Sequence, residues 1–97
     1  MDYKNFKIKE RIEHDDKTYL LLSLYENELL PEGSVSNIIA IDKKETLLWT
    51  IEPPTTKYDI YARMYFKDDV FIAVSSSGQI HQIDENTGKI ISSKMIK

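Results

Sequence analysis

The stretch Gln79-Ile80-His81-Gln82-Ile83-Asp84-Glu85-Asn86-Thr87-Gly88-Lys89-Ile90-Ile91-Ser92 reads as a β-hairpin. Strand-forming residues flank a tight polar turn, in which Asp accepts backbone donors and Gly supplies positive φ. The same cadence occurs earlier, where Asn37-Ile38-Ile39-Ala40-Ile41-Asp42 leads through Lys43-Lys44-Glu45 into Thr46-Leu47-Leu48-Trp49-Thr50-Ile51. Ile41 and Ile83 are 42 positions apart, within the ~40–50 residues of a repeat that folds as one four-stranded unit.

Outward from these hairpins, strand signals dominate. Phe6, Ile8 and Ile12 alternate with Lys7, Lys9, Arg11 and Glu13, and Glu10 on the apolar side marks an edge strand. After the polar turn His14-Asp15-Asp16-Lys17, residues 18–25 form an apolar run expected to be buried on both faces. A longer connection, Glu26 to Ser36, contains Pro31 and Gly33 and offers at most one short helical turn over 26–30. Pro53-Pro54-Thr55-Thr56-Lys57 removes two backbone donors and separates the units. In residues 58–66, Ile60, Ala62, Met64 and Phe66 alternate with Asp59, Tyr61, Arg63 and Tyr65, and the latter four are expected on one solvent face. The expected fold is all-β: a single domain over 1–97, with four-stranded antiparallel meanders in 1–52 and 58–97 joined by the 53–57 linker.

The second hairpin resembles a blade of quinoprotein-type (PQQ-like) β-propellers, whose repeats follow aliphatic-x-Ala-aliphatic-Asp-x-x-Thr-Gly-Lys-aliphatic-x-Trp. Residues Ile83 to Ile91 match it, and Ser92 stands where tryptophan is usual. The first hairpin matches at Ile38 to Asp42 and Leu47-Leu48-Trp49, with a turn one residue shorter. The resemblance implies propeller-blade-like sheets with the indole packed between neighbours. Two blades cannot close a ring, so the sheets are expected to pack as a small half-propeller or sandwich. Trp49, Leu47 and Ile51 would then lie near Ile90, Phe66, Met64 and Ile72. The family's cofactor needs a closed ring and its funnel, so no cofactor is expected.

Composition narrows the function classes. The chain has no cysteine, which removes disulfides and thiolate chemistry. Its N-terminus has no apolar run of signal-peptide length, and the expected location is cytoplasmic. Two histidines and three glycines provide no metal-spaced ligand set, phosphate loop or nucleophile elbow, so the expectation is a non-enzyme without a metal. The net charge of −3 is uneven: between Glu10 and Glu32 seven acids face two bases. Such a sector repels nucleic-acid phosphates and favours a basic partner.

Two candidate partner-binding surfaces follow. One is Asp15, Asp16, Glu26, Glu28 and Glu32 around the apolar anchors Leu29 and Leu30. The other is Asp59, Tyr61, Arg63 and Tyr65, residue types suited to interfaces. In size and charge the chain is similar to immunity proteins of bacterial toxin systems, including contact-dependent growth inhibition. That resemblance implies a small cytoplasmic inhibitor, monomeric when free, covering the basic active site of a toxin. A self-associating propeller-like module is the alternative.

Overall fold

The structure, a computed structural model, describes residues 6–23, 36–55 and 59–95. They form eight strands: β1 (Lys7–His14), β2 (Lys17–Ser23), β3 (Ile38–Ile41), β4 (Leu47–Thr50), β5 (Tyr61–Lys67), β6 (Val70–Ser75), β7 (Gln79–Ile83) and β8 (Ile90–Met95). Two four-stranded antiparallel sheets result, ordered β1-β2-β3-β4 and β5-β6-β7-β8. Among the described residues there is no helix.

Matching turns build the units. Asp15 and Asp16 (φ 48° and 65°) connect β1 to β2, and Asp68 and Asp69 (φ 51° and 63°) connect β5 to β6. Two successive positive φ values give the primed turn whose twist suits a two-residue hairpin, and Asp tolerates that region better than most side chains. Asp42 and Asp84 organise the other pair. Asp42 Oδ1 accepts from the backbone N of Lys44 and Thr46, both at 2.9 Å, and Asp84 Oδ1 accepts from Asn86 N at 2.8 Å.

Bulges also repeat. Register shifts leave one extra residue at Lys9 in β1, Leu48 in β4, Ala62 in β5 and Ile91 in β8. Each falls at the same place in its unit. A bulge reverses the facing of everything beyond it. The one at Ala62 overturns the expected alternation of β5. Tyr61 turns inward with Met64, at 1% and 3% exposure, while Arg63 and Tyr65 face outward. Leu47 is corrected for the same reason: opposite Ile41 and before the Leu48 bulge, it is 39% exposed and outside the inter-sheet core.

The inter-sheet core joins Tyr19, Leu21, Ile38, Ala40, Trp49 and Ile51 to Tyr61, Met64, Phe71, Ala73 and Ile83, with Phe66 and Ile90 packed beside them. Ile72, also expected there, pairs with Tyr65 and Gln82 on the far face of its sheet. Tyr19, Phe66 and Phe71 meet with ring centroids 4.8–5.2 Å apart. On the opposite face of the first sheet, Leu20, Leu22, Ile39 and Ile41 form a second buried cluster, so β2 is buried on both faces.

Register shows how the sheets stack. Ile41 opposite Leu47 and Ile83 opposite Ile90 occupy equivalent positions, each beside the repeated bulge. Ile83 faces the inter-sheet core, whereas Ile41 faces away from it. The first sheet therefore presents one face and the second sheet the other. The two sheets are thus stacked head to tail rather than face to face.

Gly88 (φ 77°) fixes the contact. A Cβ there would lie 2.5 Å from Trp49 Cε3 and 2.8 Å from Cδ2. The β7–β8 turn thus rests its backbone on the indole, and Trp49 Nε1 donates to Glu85 O at 2.9 Å. Gly78 (φ 95°) has open space around its missing Cβ. Gly78→Ala should cost only the left-handed backbone penalty, about 1–2 kcal/mol. Gly88→Ala adds overpacking and should cost about 2–4 kcal/mol by denaturant unfolding; equal losses would show that the indole contact contributes nothing.

Candidate functional site

Asp59 and Tyr61, expected on a solvent face, are interior. Asp59 is 3% exposed and accepts hydrogen bonds from the hydroxyls of Ser76 and Ser77 and from Ser77 N. It caps the β6–β7 turn. Tyr61 is clamped at both ends. Its backbone N donates to Asn37 Oδ1 at 2.9 Å, its carbonyl accepts from Asn37 Nδ2 at 2.8 Å, and its hydroxyl donates to Glu52 O at 2.7 Å. The Asn37 side chain thereby joins the two units in place of a strand pair. The ring of His81, 0% exposed, meets Tyr61 edge-on at 5.5 Å, and its Nδ1 is 2.7 Å from Ser93 Oγ.

Arg63 and Tyr65 remain on the outer face of the second sheet, where the guanidinium lies 5.9 Å from the Tyr65 ring centroid. Cross-strand rows run Arg63–Val74–Ile80–Lys94 and Tyr65–Ile72–Gln82–Ser92. An apolar strip is thus bordered by cations, and neither row contains a carboxylate.

The primed turns bring a different group together. Asp15 and Asp16 are exposed on the β1–β2 turn, and Asp68 and Asp69 on the β5–β6 turn beside it. His14 lies between them, with Nε2 3.2 Å from Asp15 Oδ2 and 3.7 Å from Asp69 Oδ1. Its ring stacks on Phe66 at 3.9 Å. Asp16 pairs with Lys43 at 3.0 Å. Behind the turns, Lys17 Nζ donates to Asn86 Oδ1 and Glu85 O at 3.0 and 3.3 Å, holding the β7–β8 turn against the first unit. The Tyr19 hydroxyl faces this junction; burial, then the charges of Glu85 and Asp15, push its pKa up and keep it protonated. The anchor segment Glu26, Glu28, Leu29, Leu30 and Glu32 lies outside the described residues.

Sequence spacing paired Asp15 with Asp16 and missed Asp68 and Asp69 as their neighbours. The repeated His/Lys-Asp-Asp-Lys/Val turn, 53 positions apart, was the available signal. Glu85 carries no local signal of its own.

The buried ionisable groups set an acid response. Burial pushes the His81 pKa down, with Asp59 and Glu52 opposing. For Asp59, burial acts upward, but the serine hydrogen bonds outweigh it and hold the carboxyl below its ordinary value. Both groups bind protons more readily in the unfolded chain, so stability is lost as the pH is lowered. His81 contributes a loss beginning at about pH 6.5, and Asp59 a further loss below about pH 4. Thermal unfolding should show a falling Tm between pH 7 and 5 that His81→Gln flattens, whereas Asp59→Asn should flatten the segment below pH 4. A wild-type Tm constant from pH 7 to 5 would contradict the His81 assignment.

A protein-family model described as a domain of unknown function (DUF7957) matches residues 5–95. No curated protein and no solved structure matches. The matched span runs through both sheets to the end of β8, and the chain belongs to the DUF7957 family.

Proposed function

We propose that the protein is a non-catalytic, cytoplasmic binding protein that neutralises a basic protein partner, in the manner of an immunity protein covering the active site of a toxin. The observation that carries this reading is the acidic end built by two aspartate turns. Asp15, Asp16, Asp68 and Asp69 come from different units, and Asp15 and Asp69 both approach His14. Two-residue turns fix the backbone positions of these charges, so little backbone ordering is needed on association. A nuclease cleft that receives phosphates is a fitting target, because carboxylates on a fixed scaffold present the same charge. Glu26, Glu28 and Glu32, with Leu29 or Leu30 as apolar anchor, are a candidate second contact and lie outside the described residues. Complementary charge would set the rate of encounter, and desolvated anchors the rate of escape.

The alternative, a self-associating blade module, draws support from the open outer face of the second sheet. Head-to-tail growth would require a second copy to offer the face bearing Leu20, Leu22, Ile39 and Ile41, which is already buried at 0–3% exposure. The proposed free state is a monomer.

The test is association with the product of the adjacent gene, followed by stopped-flow kinetics. Reversing Asp15 and Asp69 to lysine should slow association about 10-fold at low salt, with a modest loss of thermal stability because lysine suits the left-handed turn positions less well than aspartate. An unchanged association rate would move the interface elsewhere. A neighbouring product that neither binds nor is toxic would remove the inhibitor reading, and a concentration-dependent mass by light scattering would favour the self-associating module.

A further inference from the structure

We propose that the junction between the β1–β2 and β7–β8 turns is a binding site for a divalent transition-metal ion, ligated by His14, Asp15 and Glu85. One ligand atom from each of these side chains lies within 4.8 Å of the others. A tetrahedral ion with bonds of about 2.1 Å holds its ligands roughly 3.4 Å apart. His14 Nε2 and Asp15 Oδ2, at 3.2 Å, already meet that spacing, and the remaining separations lie within 4.8 Å.

The independent observation is a set of buried polar atoms that form no hydrogen bond of good geometry, although His14 Nε2 approaches Asp15 and the Tyr19 hydroxyl approaches Glu85. Four such side-chain atoms occur among the described residues, and three of them, His14 Nε2, Glu85 Oε2 and Tyr19 OH, converge at this junction. Tyr19 is completely buried, so its hydroxyl cannot turn to solvent. Buried polar groups are ordinarily satisfied, by protein or by a bound species. A single cation would satisfy the imidazole nitrogen and the Glu85 carboxylate together. The Tyr19 hydroxyl would then donate to a ligating carboxylate, the supporting role that metal-bound carboxylates commonly require.

Donor chemistry selects the class of ion. One imidazole and two carboxylates suit Zn²⁺ and its transition-metal neighbours, whereas Mg²⁺ and Ca²⁺ favour all-oxygen sets. Two carboxylate charges balance a dication. Three protein donors leave at least one position for water. Asp15, with its side chain 76% exposed, opens the site to solvent, while His14 is fixed by its stack on Phe66. The ligands come from different units, so the ion would cross-link the first sheet to the β7–β8 turn and stabilise the stack.

Chelator-treated full-length protein titrated with ZnCl₂ tests the site by calorimetry and thermal unfolding. We expect one equivalent to bind and Tm to rise, with MgCl₂ and CaCl₂ giving neither. Glu85→Gln and His14→Gln should each weaken Zn²⁺ at least 10-fold, Tyr19→Phe should weaken it by less, and Glu13→Gln, an exposed acid on the same strand as His14, should bind like wild type. Co²⁺ bound to the unsubstituted chain should show visible ligand-field absorption, a readout that needs no variant to fold. Absence of stoichiometric Zn²⁺ binding to the wild-type chain, or binding insensitive to both Glu85→Gln and His14→Gln, would overturn the proposal. Equal binding of Mg²⁺ would overturn the assigned ion class.

Discussion

Trp49 lying on the backbone of Gly88 is the contact around which the two sheets are organised. The indole leaves β4 of the first unit and reaches the final turn of the second, where a missing Cβ lets backbone and ring approach directly. Glu52 N then donates to Gly88 O, and Ile90 N donates to Glu52 Oε1, both at 2.8 Å. These bonds bring the chain leaving β4 alongside the chain entering β8. With the turn seated, Ile83, Phe71 and Ala73 face Ala40 and Tyr19 across an apolar core. The hydrophobic area supplies most of the stabilisation, but the Trp–Gly contact determines which faces meet.

The contact has no counterpart at either end of the two-sheet stack. The position equivalent to Gly88 in the first turn is Glu45, also left-handed at φ 64° but carrying a side chain. The position equivalent to Trp49 in β8 is Ser92, whose hydroxyl donates to Gln82 on its own sheet at 3.2 Å. Neither end can repeat the indole-on-glycine seat. The outer face of the second sheet, where another blade would rest, has Arg63 and Lys94 at the ends of its apolar row instead.

The same stacking concentrates chemistry at one end of the molecule. Each unit contributes an aspartate turn, and the register between sheets brings these turns to His14. Behind them, Tyr19 and Glu85 place polar atoms beneath the exposed carboxylates. Charge at the surface and buried polarity below it thus belong to one junction, created by packing one unit on the next. The far ends of the sheets are structural: Asp59 is consumed by the β6–β7 turn, and Asn37 bridges the units at Tyr61.

Strand number, meander order and turn positions were legible in the amino-acid string, because period-two alternation and Asp/Gly punctuation act over a few residues. Burial of β2 on both faces followed from its unbroken apolar run, and the Asp84–Gly88 hairpin from its turn chemistry. The facing of Tyr61 and Asp59 was not legible, since a bulge at Ala62 is created by pairing with β6 and leaves no mark in the alternation of β5 alone. Nor was the meeting of His14 with Glu85, 71 positions apart. Local backbone preferences write themselves into short windows of sequence. The choice of sheet face, and the chemistry gathered where the units touch, arise from contacts between distant residues and exist only once the sheets have stacked.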